Sequence, residues 1–170
     1  SDVPKAISAS GAPSVSSVVN IASAGTIVDV NVRNLNGTHT WINDLDFNLT
    51  SPQGTAVQIM AQSCSSQDNF ALNLDDEAAA GAWPCPPIGG GTYRPSNPLS
   101  AFDGQNSAGV WTLRVDDNVS ADGGSLNGWS LEVCTSGVAA TATNTPVPPT
   151  ATNTPVPPTA TNTSVPPTPT

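Results

Sequence analysis

Apolar and polar residues alternate with a period of two through most of the first 134 positions. Val28, Val30 and Val32 interleave with Asp29, Asn31 and Arg33, and Leu45, Phe47 and Leu49 with Asp44, Asp46 and Asn48. Trp111, Leu113 and Val115 interleave with Thr112, Arg114 and Asp116, and Trp129, Leu131 and Val133 with Ser130, Glu132 and Cys134. Successive side chains of a strand point to opposite faces, so the pattern predicts half-buried strands in antiparallel sheets. Residues 15–21, 56–61 and 70–74 predict further strands, and Gly, Pro, Asn and Asp fill the gaps as turn formers. No 3.6-residue period is present beyond a single turn at 76–82. Seven or eight short strands predict an all-β fold: an antiparallel β-sandwich, jelly-roll-like, whose two inner faces share one core. Trp111 and Trp129 are expected inside it, whereas Trp41 and Trp83 lie next to loops and are candidates for surface binding.

The pattern ends near Gly137. Thr141–Pro149 repeats at Thr150–Pro158, and again with Ser164 in place of Pro at Thr159–Pro167, a period of nine. Such a segment carries too little apolar surface to fold, and its prolines favour polyproline II. Nine residues are three whole turns of that helix, so each repeat shows the same face, and the tail could reach roughly 90–100 Å. The expected organisation is a sandwich at 1–136 and a disordered or polyproline II stalk or linker at 137–170. Thr/Pro-rich tracts also read as O-glycosylated stalks, with Thr141, Thr143, Thr145, Thr150, Thr152 and Thr154 as acceptors.

Charge sharpens this. The chain has thirteen acidic and four basic residues, a net charge of -9, and all of its charged side chains lie in the first 134 positions. Four basic residues argue against nucleic acid and anionic membrane surfaces as partners. No apolar run is long enough to span a bilayer, and no leader-like segment opens the chain. Of three cysteines, Cys64 and Cys85 flank the irregular stretch 65–84, which a bridge would pin. Cys134 is then free or pairs with another chain; the alternative is three reduced, buried thiols.

Catalytic constellations are missing. The single histidine, His39, stands at a strand entry and is expected to be a hydrogen-bonding residue; no Gly-x-Ser-x-Gly elbow and no second histidine for a zinc site accompany it. The chemistry that fits is Ca²⁺, which takes six to eight oxygen ligands. Acid-rich stretches occur at 43–46, 68–70, 75–77, at Asp103 and at 116–118 with Asp122. None has EF-hand spacing, but Asp75, Asp76 and Glu77 in a row are costly unless solvated or bound to a cation.

The strand-and-turn signatures are His39-Thr-Trp-Ile-Asn-Asp44-Leu45-Asp46-Phe47, Ser51-Pro52-Gln53-Gly54-Thr55, Gly109-Val110-Trp111-Thr112-Leu113-Arg114-Val115-Asp116 and Gly123-Gly124-Ser125-Leu126-Asn127-Gly128-Trp129. With the Asp-Asp-Glu-Ala segment at 75–78 and Thr-Tyr-Arg-Pro at 92–95, they resemble the P domain (P/Homo B domain) of the proprotein convertases and bacterial subtilisin-like proteases. The resemblance covers residues 2–134. It implies a β-sandwich accessory to a catalytic domain, and Ca²⁺ near the loops at Asp44, Asp68, Asp75 and Asp76, with Asp103 and Asp116 second. If Ser1 is the mature N-terminus, the chain would be a free-standing P domain.

Three readings follow. The first is a non-catalytic, secreted, Ca²⁺-stabilised structural module on a glycosylated stalk, self-assembling or binding a neighbouring extracellular protein, as in a filament or surface layer. Asn36-Gly-Thr, Asn48-Leu-Thr and Asn118-Val-Ser add glycan-acceptor patterns to it. The second is an accessory domain of a secreted protease or other hydrolase. The third is a carbohydrate-binding module that stacks sugar on Trp41, Trp83 or Tyr93.

Overall fold

The computed structural model describes residues 1–137. The stalk, its polyproline II conformation and the threonine acceptors at 141–154 lie outside the described residues. Among the described residues nine strands form: β1 (Lys5–Ile7), β2 (Ser14–Ile21), β3 (Thr26–His39), β4 (Leu45–Thr50), β5 (Ala56–Met60), β6 (Phe70–Leu74), β7 (Thr92–Tyr93), β8 (Gly109–Asp117) and β9 (Gly124–Ser136). Short 3-10 turns occupy Ile42–Asp44 and Leu99–Phe102. The strands make two sheets, ordered β1-β9-β3-β6-β7 and β2-β8-β4-β5, and face each other as an all-β sandwich. All pairings are antiparallel except the short parallel β6–β7 contact. Strands β1 and β7, three and two residues long, are too short for any periodicity to announce. Residues 76–82 form no helix; a turn closed by Ala78 N–H on Asp75 O at 3.2 Å stands there instead.

Strand β3 outruns its expected span because its alternation changes phase. Val30 and Val32 face inward, Asn34 takes a positive φ of 55°, and the register with β9 shifts between Arg33 and Asn36. An extra residue in a strand reverses which parity points to the core. Beyond the bulge Leu35, Gly37 and His39 are therefore the buried positions. At this end β3 and β9 run too close for side chains between them. A Cβ at Gly124 would strike the Thr38 carbonyl, and one at Gly37 would strike the Ser125 carbonyl and the Phe70 ring.

The inner faces pack through aromatic contacts. Phe47 of β4 and Phe70 of β6 meet edge to face across the two sheets, centroids 5.1 Å apart at 76°. Phe102 and Trp111 repeat the geometry at 5.0 Å and 74°. Each such pair adds about 0.5–1.5 kcal/mol beyond the burial of its surface. Trp111 and Trp129 are both buried. Each finds a partner for its indole N–H: Ser107 O at 3.0 Å and Ser17 Oγ at 2.7 Å.

Candidate functional site

The end of the sandwich where β3 and β8 terminate holds the histidine. The phase change in β3 turns His39 inward, and the alternation of β8 does the same for Asp117. His39 Nε2 donates to Asp117 Oδ2 at 3.3 Å, and both side chains are fully shielded from solvent. On the other side of the ring, Nδ1 lies 2.9 Å from Trp41 O and 3.2 Å from Trp41 N. Asp117 Oδ1 accepts the N–H of Val119 at 3.2 Å. His39 thus ties together the ends of β3 and β8 and the turn at Trp41. Both ring nitrogens are engaged and the ring is shielded from solvent, an arrangement that suits a hydrogen-bonding role.

Asp44 lies above this pair and is buried. Its carboxylate accepts no hydrogen bond among the described residues. Burial first, then the charges of Asp117 and Asp122, push its pKa up, partly countered by His39. Asp122 accepts from Thr40 Oγ1 at 2.8 Å.

The six expected Ca²⁺ ligands are not brought together. Among the described residues no three of His, Cys, Asp and Glu form a group that could hold a metal. Asp44 sits at the His39 end, and Asp68 is exposed on a loop. Asp116 lies on the outer face of β8. There Arg114 donates to it at 2.7 Å and the Ser14 hydroxyl also bonds it, so it is already neutralised. Asp75 and Asp76 need no cation to offset their charge either. Asp75 pairs with Arg33 at 3.2 Å, and Asp76 accepts the backbone N–H groups of Leu99 and Ser100, both at 2.9 Å. Asp103 and Glu77 are different. Both have raised pKa values, through burial first; Asp29 adds to each, with Asp76 acting on Asp103 and Asp75 on Glu77. Beside Asp29 stands Asn31, 5% exposed, whose Nδ2 donates to Asp29 Oδ2 at 2.9 Å. Asn31 Oδ1 is the one buried side-chain oxygen without a partner among the described residues. Asp29 and Asn31 were legible as outward positions of an alternating strand; the loops that cover that face are what the sequence concealed.

A cleft of about 460 Å³ lies against the loops at 61–65 and 81–96. A disulfide joins Cys64 to Cys85, with Cα atoms 5.1 Å apart, and forms part of its wall. Trp83 and Arg94 line it as well. Trp83 donates its indole N–H to Arg94 O at 2.9 Å and leans on Tyr93 at 6.4 Å. Trp83 and Tyr93 are therefore half-buried packing residues, while Trp41 is 42% exposed. Cys134 is a free, exposed thiol.

The sequence model of the proprotein convertase P-domain matches residues 27–85 and 89–133, together more than half of the chain. Leupeptin-inactivating enzyme 1 of Streptomyces exfoliatus is 30% identical over 121 residues, which is 69% of this chain and 20% of that enzyme. The chain therefore spans about a fifth of that relative's length. Among solved structures, the Aeromonas sobria serine protease in complex with its chaperone is 22% identical, with a TM-score of 0.49 over 75% of this chain and 24% of that one. The same protease alone gives 21% identity and a TM-score of 0.45, over 77% and 26%. On the strength of the match across β3 to β9, this chain belongs to the proprotein convertase P-domain family.

Proposed function

We propose that the chain is the accessory P domain of a secreted hydrolase, a sandwich that supports a catalytic segment and breaks no bonds itself. The observation that carries this reading is the family match over residues 27–133 on a fold whose single histidine is sealed in the core. An enzyme-named relative five times the matched length favours the accessory role over a filament subunit. Secretion is supported by the Cys64–Cys85 disulfide, a bond that persists in oxidising compartments. The test is hydrolysis: the purified chain, incubated with casein and fluorogenic peptides, releases nothing above buffer. Turnover that survives repurification would contradict the reading.

A bound Ca²⁺ is part of this proposal, and the donor chemistry favours the Asp29 face over the expected set. An amide oxygen without a partner, beside carboxyls whose charge is unwelcome, suits a hard oxygen-seeking cation. Asn31 Oδ1 and the neighbouring Asp29 carboxylate would hold it together with water, and its charge would ease the repulsion that Asp29 exerts on Glu77 and Asp103. The expected result is a higher thermal midpoint with Ca²⁺ than with chelator, lost in D29N and retained in D68N and D116N. An identical midpoint in both conditions would exclude a stabilising ion.

A further inference from the structure

Three of the four basic side chains are claimed by carboxylates. Lys5 pairs with Asp2 at 2.8 Å, Arg33 with Asp75 and Glu132, and Arg114 with Asp116. Arg94 makes no ion pair among the described residues, and residues 138–170 contain no acidic side chain. In a chain where acids outnumber bases thirteen to four, a guanidinium left over is the exception. It is also held in place. Its Nε donates to Ala78 O at 2.7 Å, and its carbonyl accepts the Trp83 indole N–H at 2.9 Å. The two terminal nitrogens have no bonded partner among the described residues. Arg94 lines the 460 Å³ cleft together with Ser63, Trp83, Pro95, Ser96 and the disulfide.

We propose that this cleft binds the free C-terminal carboxylate of a peptide. The guanidinium takes the carboxylate, and the wall of Trp83, Pro95 and the disulfide takes the last side chain. Arginine suits this because its planar fork matches a carboxylate in two parallel hydrogen bonds. The volume accommodates the end of a chain, since ligand pockets run from about 300 to 1,000 Å³. The site is set before binding: the disulfide braces its wall, and Ser96 N–H on Ile59 O at 2.9 Å anchors its rim to β5. A neutral sugar would leave the guanidinium unanswered. It would also want a flat exposed ring, whereas Trp83 is half buried, tilted 38° against Tyr93, with its N–H already donated. The inference does not depend on attachment to a hydrolase.

The test uses the full 170-residue chain and two ligands, acetyl-Ala-Ala-Leu as the free acid and as the C-terminal amide. Nuclear magnetic resonance reads the Trp83 indole N–H and the Arg94 Nε–H. Because Arg94 is exposed, the expected dissociation constant is on the order of a millimolar. The acid shifts both signals, and the amide binds at least tenfold more weakly. R94Q, with an unchanged thermal midpoint, loses at least tenfold towards the acid. Equal response to acid and amide, no response to either, undiminished binding by R94Q, or a response to glucuronate alone would each overturn the proposal. The acid–amide comparison needs no variant, so it holds even if R94Q unfolds.

Discussion

His39 and Asp117, 78 residues apart in sequence, meet in the core with Nε2 3.3 Å from Oδ2 and neither side chain touching water. A strand bulge and a strand end bring them together, and removing either partner strands the other. Breaking a buried pair by deleting one member costs about 3–5 kcal/mol. D117A and H39A are each expected to lose about that much in urea unfolding, and the double variant H39A/D117A less than the sum. Additive losses would show that the two side chains are not coupled.

Two carboxyls should pull the pH profile in opposite directions. Asp44 has a raised pKa, so the folded state binds more protons than the unfolded state across the window from the ordinary carboxylate range up to that raised value. Its contribution therefore falls as pH rises through that window. D44N should be more stable than the parent at pH 7 and lose this advantage near pH 3, read as thermal midpoints.

Asp2 is the reverse case. The Lys5 ammonium, then the Ser17 hydroxyl and Val18 N–H, hold its carboxyl well below the usual range. Its contribution is fully present above that range and is lost as pH falls through the lowered value. Asp2 thus clamps the N-terminal segment onto the outer edge of β2. D2N should lower the midpoint at pH 7, with the difference shrinking towards pH 2. A constant difference would contradict the assignment.

The Cys64–Cys85 bridge closes a loop of 21 residues. Constraining a loop of that size is worth about 3 kcal/mol. C64S/C85S, or reduction of the parent, should lower the urea midpoint correspondingly and loosen the Trp83 side chain, visible as a red shift of its fluorescence.

Cys134 should alkylate slowly for an exposed thiol. Desolvation first, then the charges of Asp29 and Glu132, push its pKa up, and only the thiolate reacts. D29N should speed its reaction with iodoacetamide at pH 8; an unchanged rate would remove Asp29 as the cause.

The fold class was legible because β4, β8 and residues 129–133 of β9 keep their alternation, with Phe47, Trp111 and Trp129 on the inward positions. What the sequence hid follows from interrupted alternation. Past Asn34 the inward parity of β3 changes, so His39 looked like a strand entry rather than a core residue. The same rule of two, applied to β8, separates Asp116 from Asp117. The even positions face out, where Arg114 meets Asp116, and the odd ones face in, where His39 meets Asp117. Both aspartates stand in one acid-rich stretch, and the outward one, expected as a ligand, is the one that Arg114 neutralises. The partners of Asp75 and Asp76, supplied by Arg33 and by the backbone at 99–100, come from distant segments that composition cannot pair. The free guanidinium of Arg94 was hidden for the same reason.

The central claim is an accessory role beside a catalytic segment. Antibody raised against residues 1–137 would capture the native polypeptide from its source for intact-mass and peptide sequencing. The account predicts a longer secreted chain whose peptides include a hydrolase catalytic segment joined to this one. A mature polypeptide carrying this sandwich with no such segment would contradict it.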